Sequence, residues 1–121
     1  MAEITRHMVK EILDINKNFS GMDLSGLDLA GFDFTRANLK GADLRGANLE
    51  GANFRKANLR KANLMCANFE KANLEDANLD NTFMRYTRLN GANFGDPTRL
   101  LSEPTSAKTR KYKKKPSFAR A

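Results

Sequence analysis

The sequence predicts an all-β fold, a solenoid in which a short backbone unit coils and stacks on itself. Three observations carry that expectation. Leu or Phe recurs at every fifth position from Leu24 to Phe94, with Met84 as the one substitute. Ala stands two residues before these centres from Ala37 to Ala77 and again at Ala92, while Asp or Asn stands one residue before them from Asp23 to Asn78 and at Asn93. A period of five, finally, suits neither regular element. On a straight α-helix it moves the apolar position by roughly 140° per repeat, and in a straight strand it sends successive leucines to opposite faces. Both conflicts vanish when the chain turns by a constant angle per repeat, so that every centre points at a common axis. Ala is then the second inward residue, small because a tight coil has little room. Asn or Asp suits the adjacent position because its side chain supports turn backbone. Stacked coils pair at about 4.8 Å, as strands do, and are stabilised between neighbours.

The chain divides into three segments. Residues 1–21 hold Ile4, Met8, Ile12 and Ile15 at helical spacing, with Val9 and Leu13 beside them, which predicts an amphipathic helix over 3–17 docked on the first coil. Residues 22–96 are the repeat. In its first three units Met22, Leu27 and Phe32 replace the small inward Ala and are expected to widen and plug the opening. Covering the ends matters because both expose unpaired backbone and core. Residues 97–121 follow, where Leu100 and Leu101 are placed to cover the last coil. The remainder, a basic tail, is too polar and charged to pack by itself. The net charge of +7 belongs to this segment: it holds eight bases against Glu103, whereas residues 1–21 and 22–96 are each balanced.

The A-[DN]-[LF]-x-x register of residues 22–96 resembles the pentapeptide-repeat family. The resemblance implies a right-handed quadrilateral β-helix with four pentapeptides per coil, hence nearly four coils and a rod of roughly 15–20 Å. The residues alone leave three or four repeats per coil open. Phe34, Phe54 and Phe94 fall on one side at a spacing of twenty, but Phe69 does not join them.

Composition argues against several function classes. Among 121 residues no apolar run approaches the roughly 20 that a bilayer span needs, so no transmembrane segment is expected. The N-terminus lacks the layout of a secretory signal, and Cys66 is the only cysteine, which points to a reducing, cytoplasmic setting. His7 is the only histidine, and neither a phosphate loop nor a metal-ligand cluster is visible. The chain is therefore expected to be no enzyme and to hold no cofactor or metal. Function is left to the outward pair after each centre.

Folding the repeats onto four sides stacks residues twenty apart. One side then carries Arg36, Arg55 and Lys56, the next carries Lys40, Arg60 and Lys61, and Arg45 lies around the following corner. This basic set is a candidate anion-binding surface. The later coils turn acidic on the same two sides, with Glu75, Asp76 and Asp80. The repeat breaks near its end, where Thr82 and Thr87 replace Ala, and Phe83 and Arg88 stand where Asn or Asp belongs. Met65, Phe83, Arg85, Tyr86 and Arg88 have the composition of an interface core. In the tail Lys108, Arg110, Lys111, Lys113, Lys114 and Lys115 form a basic run around Tyr112, suited to phosphates and to stacking.

The leading functional expectation is a non-enzymatic scaffold or adaptor: a rigid solenoid surface for a protein partner, with the tail anchoring to something acidic. The alternative is an accessory protein bound to nucleic acid or ribonucleoprotein through the tail. Some proteins of the resembled family bind DNA gyrase by imitating duplex DNA. That role needs an acidic surface, and residues 22–96 are neutral overall with a basic half. Oligomeric state is left open.

Overall fold

The computed structural model describes residues 4–95. A single helix, α1 (Arg6–Ile15), precedes a coil held by isolated parallel bridges. The Thr5 hydroxyl accepts the Met8 N–H at 3.2 Å, satisfying one of the orphan donors at the helix start. At the other end the N–H groups of Asn16 and Lys17 both reach the Ile12 carbonyl, at 3.0 and 2.9 Å, and Lys17 takes a left-handed φ of 58°. That geometry ends a helix, so α1 stops short of both limits read from its apolar spacing.

Every bridge joins residues twenty apart, from Asn18↔Asn38 to Asn73↔Asn93. With one turn after each centre, four pentapeptides make a coil, which decides the number of sides. The turn is the same throughout. The centre's carbonyl accepts the N–H three residues on, as in Ala37 to Phe34 at 2.9 Å. The second residue after each centre has φ between 60° and 75°, from Gly21 to Gly91, which a type II turn demands of its third residue. Most early coils place Gly there. A Cβ on Gly41 would meet nothing within 4 Å, so the glycine serves backbone conformation and not space. Later coils put Lys56, Lys61, Cys66, Lys71, Asp76, Asn81 and Tyr86 in the same conformation, which disfavours any residue with a Cβ.

The Asn and Asp positions close the unit. In every described repeat except those of Phe83 and Arg88, the side-chain Oδ1 accepts the backbone N–H two residues on, as Asn63 does from Met65 at 3.1 Å. Inside, all the centres are buried, and Ala37 to Ala72 are buried beside them. Phe34 stacks on Phe54 at 4.9 Å and 8°, one coil apart, and Phe69 tilts onto Phe54 from the neighbouring side at 5.2 Å.

The coils reach one pentapeptide further toward the N-terminus than residues 22–96. Phe19 is fully buried, its N–H bonds the Asn38 carbonyl at 2.7 Å, and its ring meets Phe34 at 5.6 Å. Lys17 in the Ala position hides this unit from a pattern search. α1 lies against the first coil: Val9 is buried in the core, and Ile4, Ile12 and Leu13 pack there with Met22 and Leu27. Residues 96–121 lie outside those described, and with them Leu100, Leu101 and the basic run.

Candidate functional site

The twenty-residue register converts the sequence into columns, and one side of the square collects most of the chemically unusual residues. Its centres are Leu24, Leu44, Leu64 and Met84, and its outward residues are bridged in one line: Asp23↔Asp43, Asp43↔Asn63, Asn63↔Phe83. The corner leading into this side stacks Lys40, Arg60 and Asp80, because Gly41 N–H bonds the Arg60 carbonyl at 2.8 Å and Lys61 N–H bonds the Asp80 carbonyl at 2.9 Å. The corner leaving it stacks Arg45, Met65 and Arg85 in the same way, through Gly46 N–H to Met65 at 3.0 Å and Cys66 N–H to Arg85 at 3.1 Å. Tyr86 stands over Cys66 at that corner.

Phe83 and Tyr86 keep 60% and 65% of their surface in solvent, and the Arg85 guanidinium lies over the Tyr86 ring at 5.2 Å. Two of the residue sets read separately from the sequence therefore share one side. Lys40, Arg60 and Lys61 edge it on one flank; Met65, Arg85 and Tyr86 edge it on the other, with Phe83 between. Arg88 does not join them. It lies on the next side, bridged to Asn68, and donates to Glu70 Oε2 at 3.1 Å while Asn90 donates to the same oxygen at 3.4 Å. This latch went unseen in the sequence, although the spacings of eighteen and twenty residues would have found it.

The remaining bases divide by their partners. Arg45 grips Asp43 with two hydrogen bonds, Nε to Oδ1 at 2.9 Å and Nη2 to Oδ2 at 2.7 Å. The pair holds the Asp43 carboxyl below the ordinary carboxylate range, and the Arg45 guanidinium is raised by the same contact. Arg55 sits 3.6 Å from Glu75, one coil on. Arg36 and Lys56 stack at the corner before the Lys40 column, through Arg36 N–H to the Arg55 carbonyl. Among the described residues no carboxylate lies within 4.0 Å of the charged groups of Arg36, Lys40, Lys56, Arg60 or Lys61.

Elsewhere the broken repeat is repaired internally. Thr82 and Thr87 are buried in the Ala positions, and their hydroxyls donate to the carbonyls of Leu79 at 2.9 Å and Leu64 at 2.7 Å, so neither buries an unsatisfied group. A groove of about 490 Å³ separates α1 from the first coil, lined by Arg6, Lys10, Lys17, Asp14, Asp33 and the Phe32 ring among others. Arg6 and Lys10 lie over that ring at 5.2 and 5.7 Å. Among the described residues no three His, Cys, Asp or Glu converge on a metal position, and no helix is long and apolar enough to cross a membrane. His7 is exposed, 3.5 Å from Glu11.

A rod of stacked four-sided coils, with its working groups on the outside, defines the class of tandem-repeat β-solenoids. The family model for pentapeptide repeats (8 copies) matches four overlapping stretches, residues 18–51, 33–70, 42–81 and 57–96, and the chain belongs to that family. Pentapeptide repeat proteins form right-handed quadrilateral β-helices and are generally structural or protein-binding. Among solved structures, Rfr23 from the cyanobacterium Cyanothece 51142 is 33% identical with a TM-score of 0.63, over 64% of this chain and 54% of its own. A pentapeptide repeat protein of the Arabidopsis thaliana thylakoid lumen is 25% identical with a TM-score of 0.57, over 71% of this chain and 74% of its own. Trypsin-treated QnrB1, a plasmid-mediated fluoroquinolone resistance protein, is 26% identical with a TM-score of 0.53, over 64% of this chain and 46% of its own. The chain thus spans about half the length of Rfr23. No curated protein matches it.

Proposed function

We propose that the chain is a non-enzymatic scaffold or adaptor that presents the Leu64 side of its solenoid to a protein partner, while the basic run Lys108–Lys115 anchors to an acidic surface. One observation carries this reading. Phe83 occupies the position at which the other repeats, save that of Arg88, use Asn or Asp to bind the backbone, and it leaves 60% of its surface in solvent. The position forgoes a hydrogen bond of about 1 kcal/mol for an aromatic ring of the kind that anchors interfaces. Tyr86, on the corner beside it, holds a left-handed φ of 62° and leaves 65% of its surface in solvent.

The test is a pull-down from cell extract with the full chain and with a Phe83→Asn/Tyr86→Ala variant, at low and high salt. The scaffold reading expects a protein that stays at high salt with the wild type and leaves with the variant. Retention of nucleic acid alone, lost as salt rises, would transfer the function to the basic tail and a nucleic-acid or ribonucleoprotein partner.

A further inference from the structure

We infer that the Leu64 side docks an extended acidic peptide segment of the partner, one that carries an apolar anchor residue between its carboxylates. This rests on the scaffold reading and names the chemistry of its partner. The argument begins with charge. Lys40, Arg60 and Lys61 form a cationic flank with no carboxylate within 4.0 Å among the described residues. On the opposite flank the Arg85 guanidinium lies over the Tyr86 ring at 5.2 Å. A stacked guanidinium keeps its edge donors for a carboxylate, which it meets in a two-pronged fashion. Phe83 supplies exposed aromatic surface between the two, and Tyr86 extends it along the Arg85 flank. Carboxylates on the two flanks and an apolar side chain over the rings would satisfy all three features together.

The flat side suits an extended occupant. Successive coils are about 4.8 Å apart, and alternate residues of an extended chain put their side chains on one face about 6.6 Å apart, a difference that long Lys and Arg side chains absorb. A helix comes nearer to the coil spacing, with same-face groups about 5–6 Å apart, but its round cross-section touches a flat side along one line only.

Other occupants fit less well. Residues 97–121 of the chain itself carry eight bases against Glu103, so they repel this flank. A second copy would oppose like charges, Lys40 and Arg60 against themselves. A nucleic-acid strand crossing from the Lys40–Arg60 column to Tyr86 would pass Asp80, which continues that column in the last coil, with a charge on every phosphate. A peptide places its carboxylates at only a few positions.

The experiment uses the full chain and a fluorescein-labelled peptide of sequence Gly-Glu-Asp-Glu-Phe-Glu-Asp-Leu-Gly, read by fluorescence anisotropy, with a single-stranded RNA dodecamer as competitor. Variants Arg60→Glu and Tyr86→Ala change outward side chains only, and circular dichroism and Tm confirm that each is folded. A Lys113→Ala/Lys114→Ala/Lys115→Ala variant controls for capture by the tail. The expected result is weakening of about tenfold for Arg60→Glu and about fivefold for Tyr86→Ala, with less than a twofold change for the tail variant. Unchanged affinity in both side variants, or loss of binding in the tail variant, overturns the inference. So does RNA that displaces the peptide and depends on the same side, which would make this a nucleic-acid face. A protein retained through Phe83 in the pull-down while the peptide fails to bind leaves the scaffold reading standing and removes only this one. Retention of no protein removes the scaffold reading itself.

Discussion

Residues 18–37 and residues 78–95 trace the same square turn on the same backbone, and both depart from the repeat. The departures differ in kind. In the first coil, Met22, Leu27 and Phe32 replace the small inward Ala, and each lies in the cluster that includes Val9, Ile4, Ile12 and Leu13. Asp23, Asp28 and Asp33 replace Asn, and all three are exposed. Farther in, the position is partly buried between two coils; from residue 38 to residue 78 neutral Asn fills it except at Asp43, whose carboxylate Arg45 neutralises. Position within the rod explains these changes. In the last coil, Thr82 and Thr87 bond carbonyls within the coils, but Phe83 and Tyr86 leave most of their surface to water. A departure that leaves aromatic surface in water is where a function is to be sought.

Four predictions break or sharpen that contrast. The largest effect is expected in the middle of the rod. Phe54→Ala removes a ring stacked on Phe34 and tilted against Phe69 and should cost about 4 kcal/mol, against about 2 kcal/mol for Met84→Ala. Urea denaturation measures both, and equal costs would mean that the last coil is packed as firmly as the centre.

Restoring the repeat comes next. Phe83→Asn should give back the side-chain acceptor for the Arg85 N–H and stabilise by about 1 kcal/mol, while abolishing partner retention in the pull-down. A gain in stability coupled to loss of binding is the signature of a residue kept for function; a loss of both would make Phe83 a packing residue.

At the corner, Tyr86 has φ 62°. Relief of left-handed strain by Tyr86→Gly exceeds the added chain entropy by about 0.5 kcal/mol, so Tm should rise slightly. Gly41→Ala, at φ 69° in the early coils, should lower it by a similar amount. A Tm shift of the opposite sign at either corner would refute the left-handed account.

The smallest effect is expected from acid and belongs to the first coils. Hydroxyl and backbone donors of Ser25 and Thr35 hold the Asp23 and Asp33 carboxyls below their ordinary value, and the Arg45 guanidinium does so for Asp43. A carboxyl depressed by folding contributes stability above its unfolded pKa and loses it as pH falls through the lower folded value. Tm should therefore be flat from neutrality to about pH 5 and decline below about pH 4. Asp23→Asn/Asp33→Asn/Asp43→Asn should flatten that decline, and an unchanged acid limb would place the sensitivity elsewhere.

The sequence made the coil legible because its apolar period fits nothing else. The unit at Phe19 was hidden because Lys17, the residue that ends α1, fills its Ala position. Four repeats per coil was harder to read, since a period of five says how often the chain turns and not when it returns. The bridges at twenty residues supply that number, and only then do Lys40, Arg60, Phe83 and Tyr86 fall on one side. The Arg45–Asp43 pair was not legible, because it depends on how two outward side chains reach across one corner. Nor was the Glu70 latch, which spans a full coil.

The register also governs how such a gene can change length. A duplication or deletion of five codons between Arg60 and Tyr86 keeps every apolar centre inside but turns all downstream residues by one side, so Tyr86 would leave the side it shares with Arg60 by a quarter turn. Twenty codons restore the alignment and only lengthen or shorten the rod. Surface identity in this chain is therefore inherited modulo twenty, while foldability is inherited modulo five. Replication slippage by a single repeat would leave a stable protein with its recognition face cut in two.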